Sequence, residues 1–377
     1  MLTDWHDRLE LRRLQLLRYP PALGGVLLSL LALVSIALLA WPATPPPVPL
    51  PALDIPSLVA VDPVADRLFV SLEVSEGILV LDGSGHRALG TIALAGLPEG
   101  IAVNPVTAHV YVALPNGVAV LAESTATVLS TVVLDQRPSG IAVNPDTNRI
   151  YVTAQPLSAS HGAGAVIVLD GERDTVAAAV PVGLDPVGVA VNPRTNRVYV
   201  ANAGGDSVTV LAGSTNTVLA TVAVGHFPTH LSVNAATNRV YVSNRNEGTV
   251  SVLDGDRNVT LTTIRIDGSP DELGVDEATN RIYVDNGQGS LIVVDGSTNR
   301  VRTALPVGRT IEGMTVDPGT GRVYASAGNN TVWMFQDRRF RLPQGRVIAV
   351  GYSAPAISPN PTGSCSCERP LQSTPPD

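Results

Sequence analysis

The sequence predicts an all-β protein, a seven-bladed β-propeller of four-stranded blades that is preceded by one N-terminal transmembrane helix. Three observations predict this architecture. A short phrase returns seven times along the chain, each interval between copies holds four strand signals, and a long apolar stretch without charge precedes the first copy. Internal repeats of this length are typical of propeller blades.

The N-terminal region is predicted to anchor the chain in a membrane. Residues 22–41 carry no charged side chain, and this length suffices to cross a hydrocarbon core about 30 Å thick. Four arginines lie between residues 8 and 18, and the next basic residue after the stretch is Arg67. Because positive charge favours the cytoplasmic side, we expect a cytoplasmic tail at 1–19, a transmembrane signal anchor at 20–41 and an extracytoplasmic remainder. A cleaved signal peptide, which would leave a secreted protein, is the alternative.

Two further segments flank the predicted propeller. Seven prolines between residues 42 and 56 favour an extended, semi-rigid stalk that holds the domain off the membrane. The propeller is assigned to residues 57–351. Residues 352–377 are rich in Pro, Ser and Thr and are predicted to be a disordered tail. This tail contains both cysteines, Cys365 and Cys367, so no disulfide framework is expected to hold the fold.

The repeated phrase reads VAVNPRTNRVYV at residues 189–200, and its Asn or Asp before Pro is typical of a turn closed by the side chain. The valine before that Asn or Asp lies at positions 61, 103, 143, 191, 233, 275 and 316. The intervals are 42, 40, 48, 42, 42 and 41 residues. The longest interval indicates an insertion at Gln155–Gly164 in the third repeat.

Each repeat holds four strand signals. In the fourth copy the predicted strands are Gly188–Val191, Arg197–Asn202, Ser207–Leu211 and Thr217–Val224, separated by Gly, Asn, Pro and Asp. Four strands in about 42 residues form one blade, and blades of this kind bury their faces by stacking on each other. The last strand of the seventh blade is expected from Arg346–Val350. The alternative is Val48–Asp54, whose prolines would be tolerated only at a sheet edge.

The second strand of several repeats ends in a shared motif. It reads Tyr199-Val-Ala-Asn202, Tyr241-Val-Ser-Asn244 and Tyr283-Val-Asp-Asn286. With these phrases the chain resembles the YVTN family of β-propeller repeat proteins, which occurs in bacterial and archaeal envelope proteins. The resemblance covers residues 58–335 and implies the fold and an envelope location. It implies no catalytic residue, because the family is united by its scaffold.

Composition excludes several functions. The net charge is −8, and all 25 basic residues are arginine, so the chain is a poor general binder of nucleic acid and no such partner is expected. Without lysine, a phosphate-loop or Schiff-base lysine is excluded. Motifs of serine hydrolases and zinc proteases are also absent from the sequence. We therefore expect a binding or scaffold module for an envelope protein or polymer. The alternative function is a metal-dependent hydrolase or lactonase.

The candidate site is one mouth of the central channel. Two variable positions precede the first strand of each blade, and this strand is the innermost, so equal offsets should form one ring at the mouth. The predicted ligand-binding residues of this ring are Glu99, Thr229, His230, Asp271, Glu272 and Glu312.

Carboxylate oxygens and imidazole can bind a divalent cation. His230, Asp271, Glu272 and Glu312 therefore form a predicted metal set, with calcium as the candidate ion and no other cofactor expected. A solvated acidic rim that keeps the protein soluble is the interpretation that the sequence favours over this metal set. Carboxylates crowded in this way should show a raised pKa unless a cation lies among them.

Overall fold

The computed structural model describes residues 48–49, 54–85, 87–157, 162–328, 330–336 and 344–350. The predicted cytoplasmic tail, the transmembrane anchor, most of the stalk and the C-terminal tail with its two cysteines lie outside these residues. Within them, no helix combines the length and the apolar character that a membrane crossing requires.

Strands occupy most of the described chain. The first, β1, is the short segment Val48–Pro49. Blade one contains β2 (Pro56–Asp62), β3 (Arg67–Leu72), β4 (Gly77–Asp82) and β5 (Ala88–Ala93). Blade two contains β6 (Gly100–Asn104), β7 (His109–Leu114), β8 (Gly117–Ala122) and β9 (Thr127–Val133). Blade three contains β10 (Gln136–Asn144), β11 (Arg149–Pro156), β12 (Ala163–Asp170) and β13 (Thr175–Leu184).

The remaining blades follow in chain order. Blade four contains β14 (Pro186–Asn192), β15 (Arg197–Asn202), a 3₁₀ turn (Ala203–Gly205), β16 (Ser207–Ala212) and β17 (Thr217–Ala223). Blade five contains β18 (Pro228–Asn234), β19 (Arg239–Asn244), β20 (Thr249–Asp254) and β21 (Val259–Arg265). Blade six contains β22 (Leu273–Asp276), β23 (Arg281–Asp285), β24 (Ser290–Asp295) and β25 (Arg300–Pro306). Blade seven contains β26 (Ile311–Asp317), β27 (Arg322–Ala327), β28 (Thr331–Gln336) and β29 (Gln344–Val350).

Each blade is an antiparallel sheet whose strand order follows the chain. The first strands of successive blades contact one another, and β26 of blade seven contacts β2 of blade one, so the series closes into a ring. The predicted seven-bladed propeller of four-stranded blades is therefore confirmed. In blade four the predicted strand bounds match the observed ones to within two residues.

Both segments considered for the seventh blade belong to it. β29 pairs antiparallel with β28 as the fourth strand, and β1 pairs parallel with β29 as a fifth strand at the edge. Pro49 is tolerated there because an edge strand has no further strand to which its missing N–H would donate. Asp54 also joins the propeller, since its carboxylate accepts hydrogen bonds from the N–H groups of Val74 and Ser75, both at 3.0 Å. The propeller thus includes residues that the sequence analysis assigned to the stalk.

The hydrophobic core lies in the gaps between blades. Seven apolar clusters are present in the described residues, and each combines side chains of two adjacent blades. We call these gaps seams and number them by their blades. Six tyrosines at one position of the second strand are fully buried in them: Tyr111, Tyr151, Tyr199, Tyr241, Tyr283 and Tyr324. This explains why a chain with only 4% aromatic residues repeats tyrosine at that position.

A recurring polar contact accompanies the apolar packing. At four seams the buried Asn that ends the innermost strand donates its side-chain amide to an Asn of the next blade, with a nitrogen–oxygen distance of 2.8 Å. These pairs are Asn104–Asn148, Asn144–Asn196, Asn192–Asn238 and Asn234–Asn280. The accepting Asn adopts a positive φ near 50° in each pair, a conformation that asparagine tolerates better than most residues. Both asparagines of the repeated phrase are thus needed for stacking as well as for the turn.

Candidate ligand-binding site at the channel mouth

The innermost strands approach each other so closely at one end that their sequence is restricted. Four blades have glycine at this point, namely Gly100, Gly140, Gly188 and Gly313. An added Cβ there would lie 2.3–2.5 Å from a backbone oxygen of the following blade, so no larger residue fits in that geometry. Leu58, His230 and Glu272 take the same place in the other three blades. The seven-fold ring is therefore asymmetric, and blades five and six carry its charged side chains.

These strand ends enclose a cavity of about 170 Å³. Its polar side chains are Glu99, His230 and Glu272, and its remaining lining consists of glycine, aliphatic residues and Met314. Pockets for drug-sized ligands measure roughly 300–1,000 Å³. The cavity can therefore admit a small group, such as the end of a partner's side chain, but not a whole ligand of that size.

His230 connects two carboxylates of the next blade. Its Nδ1 lies 3.2 Å from Oδ1 of Asp271, and its Nε2 lies 3.0 Å from Oε1 of Glu272. Burial disfavours the charged ring, but the charges and hydrogen bonds of Glu272 and Asp271 outweigh it and raise the pKa of His230 to about 10. At neutral pH His230 is therefore an imidazolium that donates from both nitrogens.

Asp271 has a second cationic neighbour. Nη1 of Arg245 lies 3.4 Å from its Oδ2. Burial alone would raise the pKa of Asp271, but the hydrogen bond and charge of His230, with a smaller contribution from Arg245, lower it to about 2. The sequence analysis allowed for a cation among the carboxylates, and here that cation is a side chain of the protein.

Asp285 is the carboxyl of this cluster that shows a raised pKa. It is fully buried, and its Oδ1 has no hydrogen-bond partner. Burial raises the pKa of Asp285 to about 7; backbone N–H groups of Gly287 and Ile311 oppose the shift, and the charges of Asp271 and Glu272 add to it.

The position of Asp285 carries a hydroxyl in four other blades, namely Ser71, Thr153, Ser243 and Ser326. The hydroxyls of Thr153, Ser243 and Ser326 donate to a backbone carbonyl of the following blade and so join adjacent blades. Ser243, for example, accepts from the N–H of His230 at 3.1 Å and donates to the carbonyl of Asp271 at 2.6 Å. Asp285 thus places an acid where the fold elsewhere uses a hydroxyl.

The other predicted mouth residues differ in their surroundings. Glu99 lines the cavity and pairs with Arg137 at 2.9 Å. Thr229 is buried, and its hydroxyl lies 3.1 Å from that of Ser243. Glu312 is exposed and accepts a hydrogen bond from the Thr310 hydroxyl at 3.0 Å. The structure therefore joins Glu99, His230 and Glu272 at one cavity and adds Asp271 through His230, while Thr229 and Glu312 lie beside it.

Two arginines were missed by the sequence analysis. Arg137 and Arg245 lie one to three residues from positions that the repeat placed at this end of the blades. The available signal was topological, since any residue at the end of the second strand or the start of the first shares this face. The ring was defined by two positions per repeat, and neither arginine occupies one of them.

The predicted metal set remains a prediction. No group of three or more His, Cys, Asp or Glu side chains in the described part of the chain is arranged to hold a metal ion. Both ring nitrogens of His230 face carboxylates and carry protons in the charged form, so neither offers a lone pair to a metal.

The two faces of the propeller differ in charge. The mouth face is formed by the ends of the second and fourth strands and by the starts of the first and third strands of each blade. Among its described residues it carries four arginines: Arg137, Arg245, Arg265 and Arg309. Its carboxylates number thirteen: Asp54, Glu73, Glu76, Glu99, Asp135, Asp185, Asp206, Glu247, Asp267, Asp271, Glu272, Asp285 and Glu312. The opposite face carries twelve described arginines against fourteen carboxylates. Asp54, Asp185, Glu272 and Asp285 among these carboxylates are buried, and His230 adds one positive charge to the mouth face. The excess of negative over positive side chains is still larger on the mouth face than on the opposite face.

Comparison with known proteins identifies the fold. No protein-family model and no curated protein sequence matches the chain. Among solved structures, the chain is similar to the hydrazine synthase of Kuenenia stuttgartiensis, with a TM-score of 0.66 and 16% sequence identity over 79% of this chain and 98% of that chain. At this identity the likeness shows the propeller fold alone, and 1716 chains of solved structures match, so the shared fold does not select a function.

Proposed function

We propose that this chain is a binding module of the cell envelope, and that its propeller holds a positively charged partner over the channel mouth. The observation that carries the proposal is the unequal charge of the two faces, with thirteen carboxylates against four arginines on the mouth face. A rigid scaffold with charged loops at one end is the usual arrangement of a binding protein. Complementary charge then guides the encounter and the orientation of the partner.

The partner that fits best is a basic polypeptide with some apolar side chains. Exposed apolar residues stand on the mouth-face loops around the acidic centre: Leu97 is 45% exposed, Leu157 71%, Leu184 48% and Phe227 36%. A polypeptide that covers these side chains would remove their apolar surface from water, which favours association. An envelope polymer that bears amino groups is the second candidate partner. It would match the negative charge of the mouth face but not its exposed apolar side chains.

Glu99 is the residue that would receive a cation of the partner. It lines the cavity, and its ion-pair partner Arg137 has a side chain that is 62% exposed. Exposed ion pairs contribute about 0–1 kcal/mol, so an arginine or lysine of the partner can replace Arg137 without a large loss. His230, in contrast, is held from both sides and orients Asp271 and Glu272.

The proposed location follows from the sequence. The anchor at 20–41 would fix the chain in the membrane, and the resemblance to YVTN repeat proteins supports an extracytoplasmic propeller. No observation in the described residues favours the alternative of a metal-dependent hydrolase or lactonase.

Peptide binding tests the proposal. The full-length chain is titrated into a fluorescent peptide of lysine and leucine and, separately, into a glutamate–leucine peptide of the same length, at low and physiological salt. We expect the basic peptide to bind, with an affinity that falls as the salt concentration rises.

Variants test which residues carry the binding. Glu99→Gln and Glu312→Gln should each lower the affinity for the basic peptide several-fold. Glu172→Gln, which changes an exposed acid on the opposite face, should not. Equal binding of both peptides, or equal effects of the three variants, would contradict the proposal. Binding of an amine-bearing polysaccharide but not of the basic peptide would favour the polymer.

A further inference from the structure

Seam 1/2, between blades one and two, lacks the polar contact of the four seams that follow it. Asp62 stands where those seams have the donating Asn, and Ala108 stands where they have the accepting Asn. The amide-to-amide hydrogen bond therefore cannot form here. Asp62 is nevertheless fully buried, and its Oδ1 accepts the N–H groups of Val64 and Ala65 at 2.7 and 3.0 Å.

The same seam has a second, paired change. After the third strand most blades have glycine. An added Cβ at Gly213 or Gly255 would lie 2.3 or 2.4 Å from Oδ1 of the accepting Asn196 or Asn238, and 2.8 or 2.9 Å from the hydroxyl oxygen of Tyr151 or Tyr199 in the preceding blade. Blade two has Glu123 at this position, and the preceding blade one has Phe69 in place of the tyrosine. Because Ala108 replaces the accepting Asn and phenylalanine lacks the hydroxyl, the seam has room for the carboxyl next to the position of Asp62.

Glu123 is poorly satisfied in its ionised form. It is 3% exposed, and neither of its carboxylate oxygens has a hydrogen-bond partner. Nε of Arg67 lies 3.5 Å from its Oε1, while Nη1 of the same arginine donates to the Glu123 carbonyl at 2.7 Å. The equivalent arginine of blade three behaves differently, since Arg149 pairs at 2.6 Å with Asp170 of its own blade.

The charges of this cluster do not balance when both acids are ionised. Two buried carboxylates, Glu123 and Asp62, then face one guanidinium. Two ionised carboxylates both accept hydrogen bonds, so they cannot form a hydrogen bond with each other. When one of them is protonated, it can donate to the other, and one buried charge is removed. Burial raises the pKa of Glu123 to about 7, Asp62 acts in the same direction and Arg67 opposes it.

We propose that seam 1/2 is a proton-dependent latch, in which a proton held between Glu123 and Asp62 joins blades one and two and its loss weakens this seam alone. The other charged or titratable groups at the cluster are Arg67 at the start of β3, Asp82, which is the cross-strand partner of Arg67 on β4, and His109, whose strand β7 pairs with the end of β8 beside Glu123. The buried Nδ1 of His109 has no hydrogen-bond partner. The latch is independent of the function proposed above, because its residues lie on the opposite face from the channel mouth.

The direction of the pH effect follows from the raised pKa. The stabilising contribution of protonated Glu123 is fully present below its ordinary pKa near 4.5 and is lost as the pH rises through about 7. In Glu123→Gln the side-chain amide donates to Asp62 at every pH. The melting temperature of the full-length protein should therefore fall, relative to this variant, by a few degrees between pH 5 and pH 8.5. Glu172→Gln, in the equivalent turn of blade three, should run parallel to the wild type. Parallel curves for Glu123→Gln and the wild type would overturn the latch.

Hydrogen exchange on the wild-type protein keeps the proposal testable if Glu123→Gln does not fold. Amide protection is compared between segments 105–110 and 122–127 at seam 1/2 and the equivalent segments 235–240 and 254–259 at seam 4/5, after correction for the intrinsic pH dependence of exchange. We expect protection at seam 1/2 to fall several-fold between pH 6 and pH 8 relative to seam 4/5. A constant ratio over this range would exclude a proton-dependent seam.

Discussion

The side-chain amide of Asn192 donates a hydrogen bond to the side-chain oxygen of Asn238 in the next blade, at a distance of 2.8 Å. The same residue accepts the N–H of Arg194 at 3.1 Å and thereby closes its own turn. Asn192 is fully buried. One side chain therefore shapes a turn and joins two blades, which explains why asparagine recurs before proline.

Asn192→Ala should destabilise the propeller. It removes both hydrogen bonds, including the one that the half-buried side-chain oxygen of Asn238 accepts. Each hydrogen bond contributes about 0.5–1.5 kcal/mol net, so we expect the free energy of unfolding from denaturant titration to fall by about 1–3 kcal/mol. Asn246→Ala, in an exposed loop of blade five, is the matched control and should change stability by less than about 0.5 kcal/mol. Equal losses in the two variants would show that the contact between blades contributes nothing.

The buried tyrosines offer a test with an internal control. The hydroxyl of Tyr199 is buried without a hydrogen-bond partner, whereas the hydroxyl of Tyr324 donates to the carbonyl of Gly83 in blade one. Tyr199→Phe should therefore be neutral or stabilising, because it removes an unsatisfied polar group. Tyr324→Phe should destabilise the protein by about 0.5–1.5 kcal/mol, the usual net contribution of one hydrogen bond. Thermal unfolding of the two variants distinguishes these outcomes, and a larger loss in Tyr199→Phe would be inconsistent with the packing described.

Phe69→Tyr is the complementary change. The added hydroxyl would enter the space that Glu123 uses in seam 1/2. We expect a loss of about 1–3 kcal/mol, as for other overpacked cores, measured by the same thermal unfolding. Combining Phe69→Tyr with Glu123→Gly should restore most of it, because the pair then matches the tyrosine–glycine packing of seams 3/4 and 4/5. A double variant no more stable than Phe69→Tyr would contradict the pairing of these two positions.

The fold could be predicted from the sequence because its signals are periodic. Each repeat carries the same turn and strand residues, so the error in any one copy is corrected by the other six. Residues that break the period were harder to interpret. Phe69 departs from the tyrosine of the motif, but its partner Glu123 lies 54 positions away in the sequence. The relation between the two residues is visible only when the blades are stacked. For the site, the sequence predicted only that the variable positions form a ring at the channel mouth. The asymmetry of the ring depends on which blades have glycine at the start of the innermost strand. The arginines that pair with its carboxylates come from neighbouring positions outside the ring.

The ion pairs of His230 predict a specific pH dependence. Its folded-state pKa is raised to about 10 from 6.5. The ion pairs of protonated His230 therefore stabilise the folded protein fully below pH 6.5, and this contribution is lost as the pH rises towards 10. His230→Gln should therefore be less stable than the wild type at pH 6, by about 1–2 kcal/mol, because channel water screens a side chain that is 36% exposed. The difference should shrink by pH 10. His226→Gln, which removes an exposed histidine from Asp206, is the control and should have a small effect. A difference for His230→Gln that stays constant with pH would refute a charged His230.

The effect of calcium on the melting temperature tests whether the carboxylates of the channel mouth bind a metal ion or are neutralised by His230. Asp271 and Glu272 already face the imidazolium of His230, and Asp271 also faces Arg245, so we expect millimolar calcium to leave the melting temperature of the wild type unchanged. His230→Gln removes the protein's own cation and leaves Asp271 and Glu272 close together, with buried Asp285 as a third carboxyl in the same cluster. A divalent ion can then compensate their repulsion, and any ion that binds only the folded state raises its stability. Calcium should therefore raise the melting temperature of His230→Gln, and adding Glu272→Gln to that variant should abolish the increase. Magnesium at the same concentration controls for ionic strength. A calcium-dependent increase in the wild type would instead support the metal set predicted from the sequence.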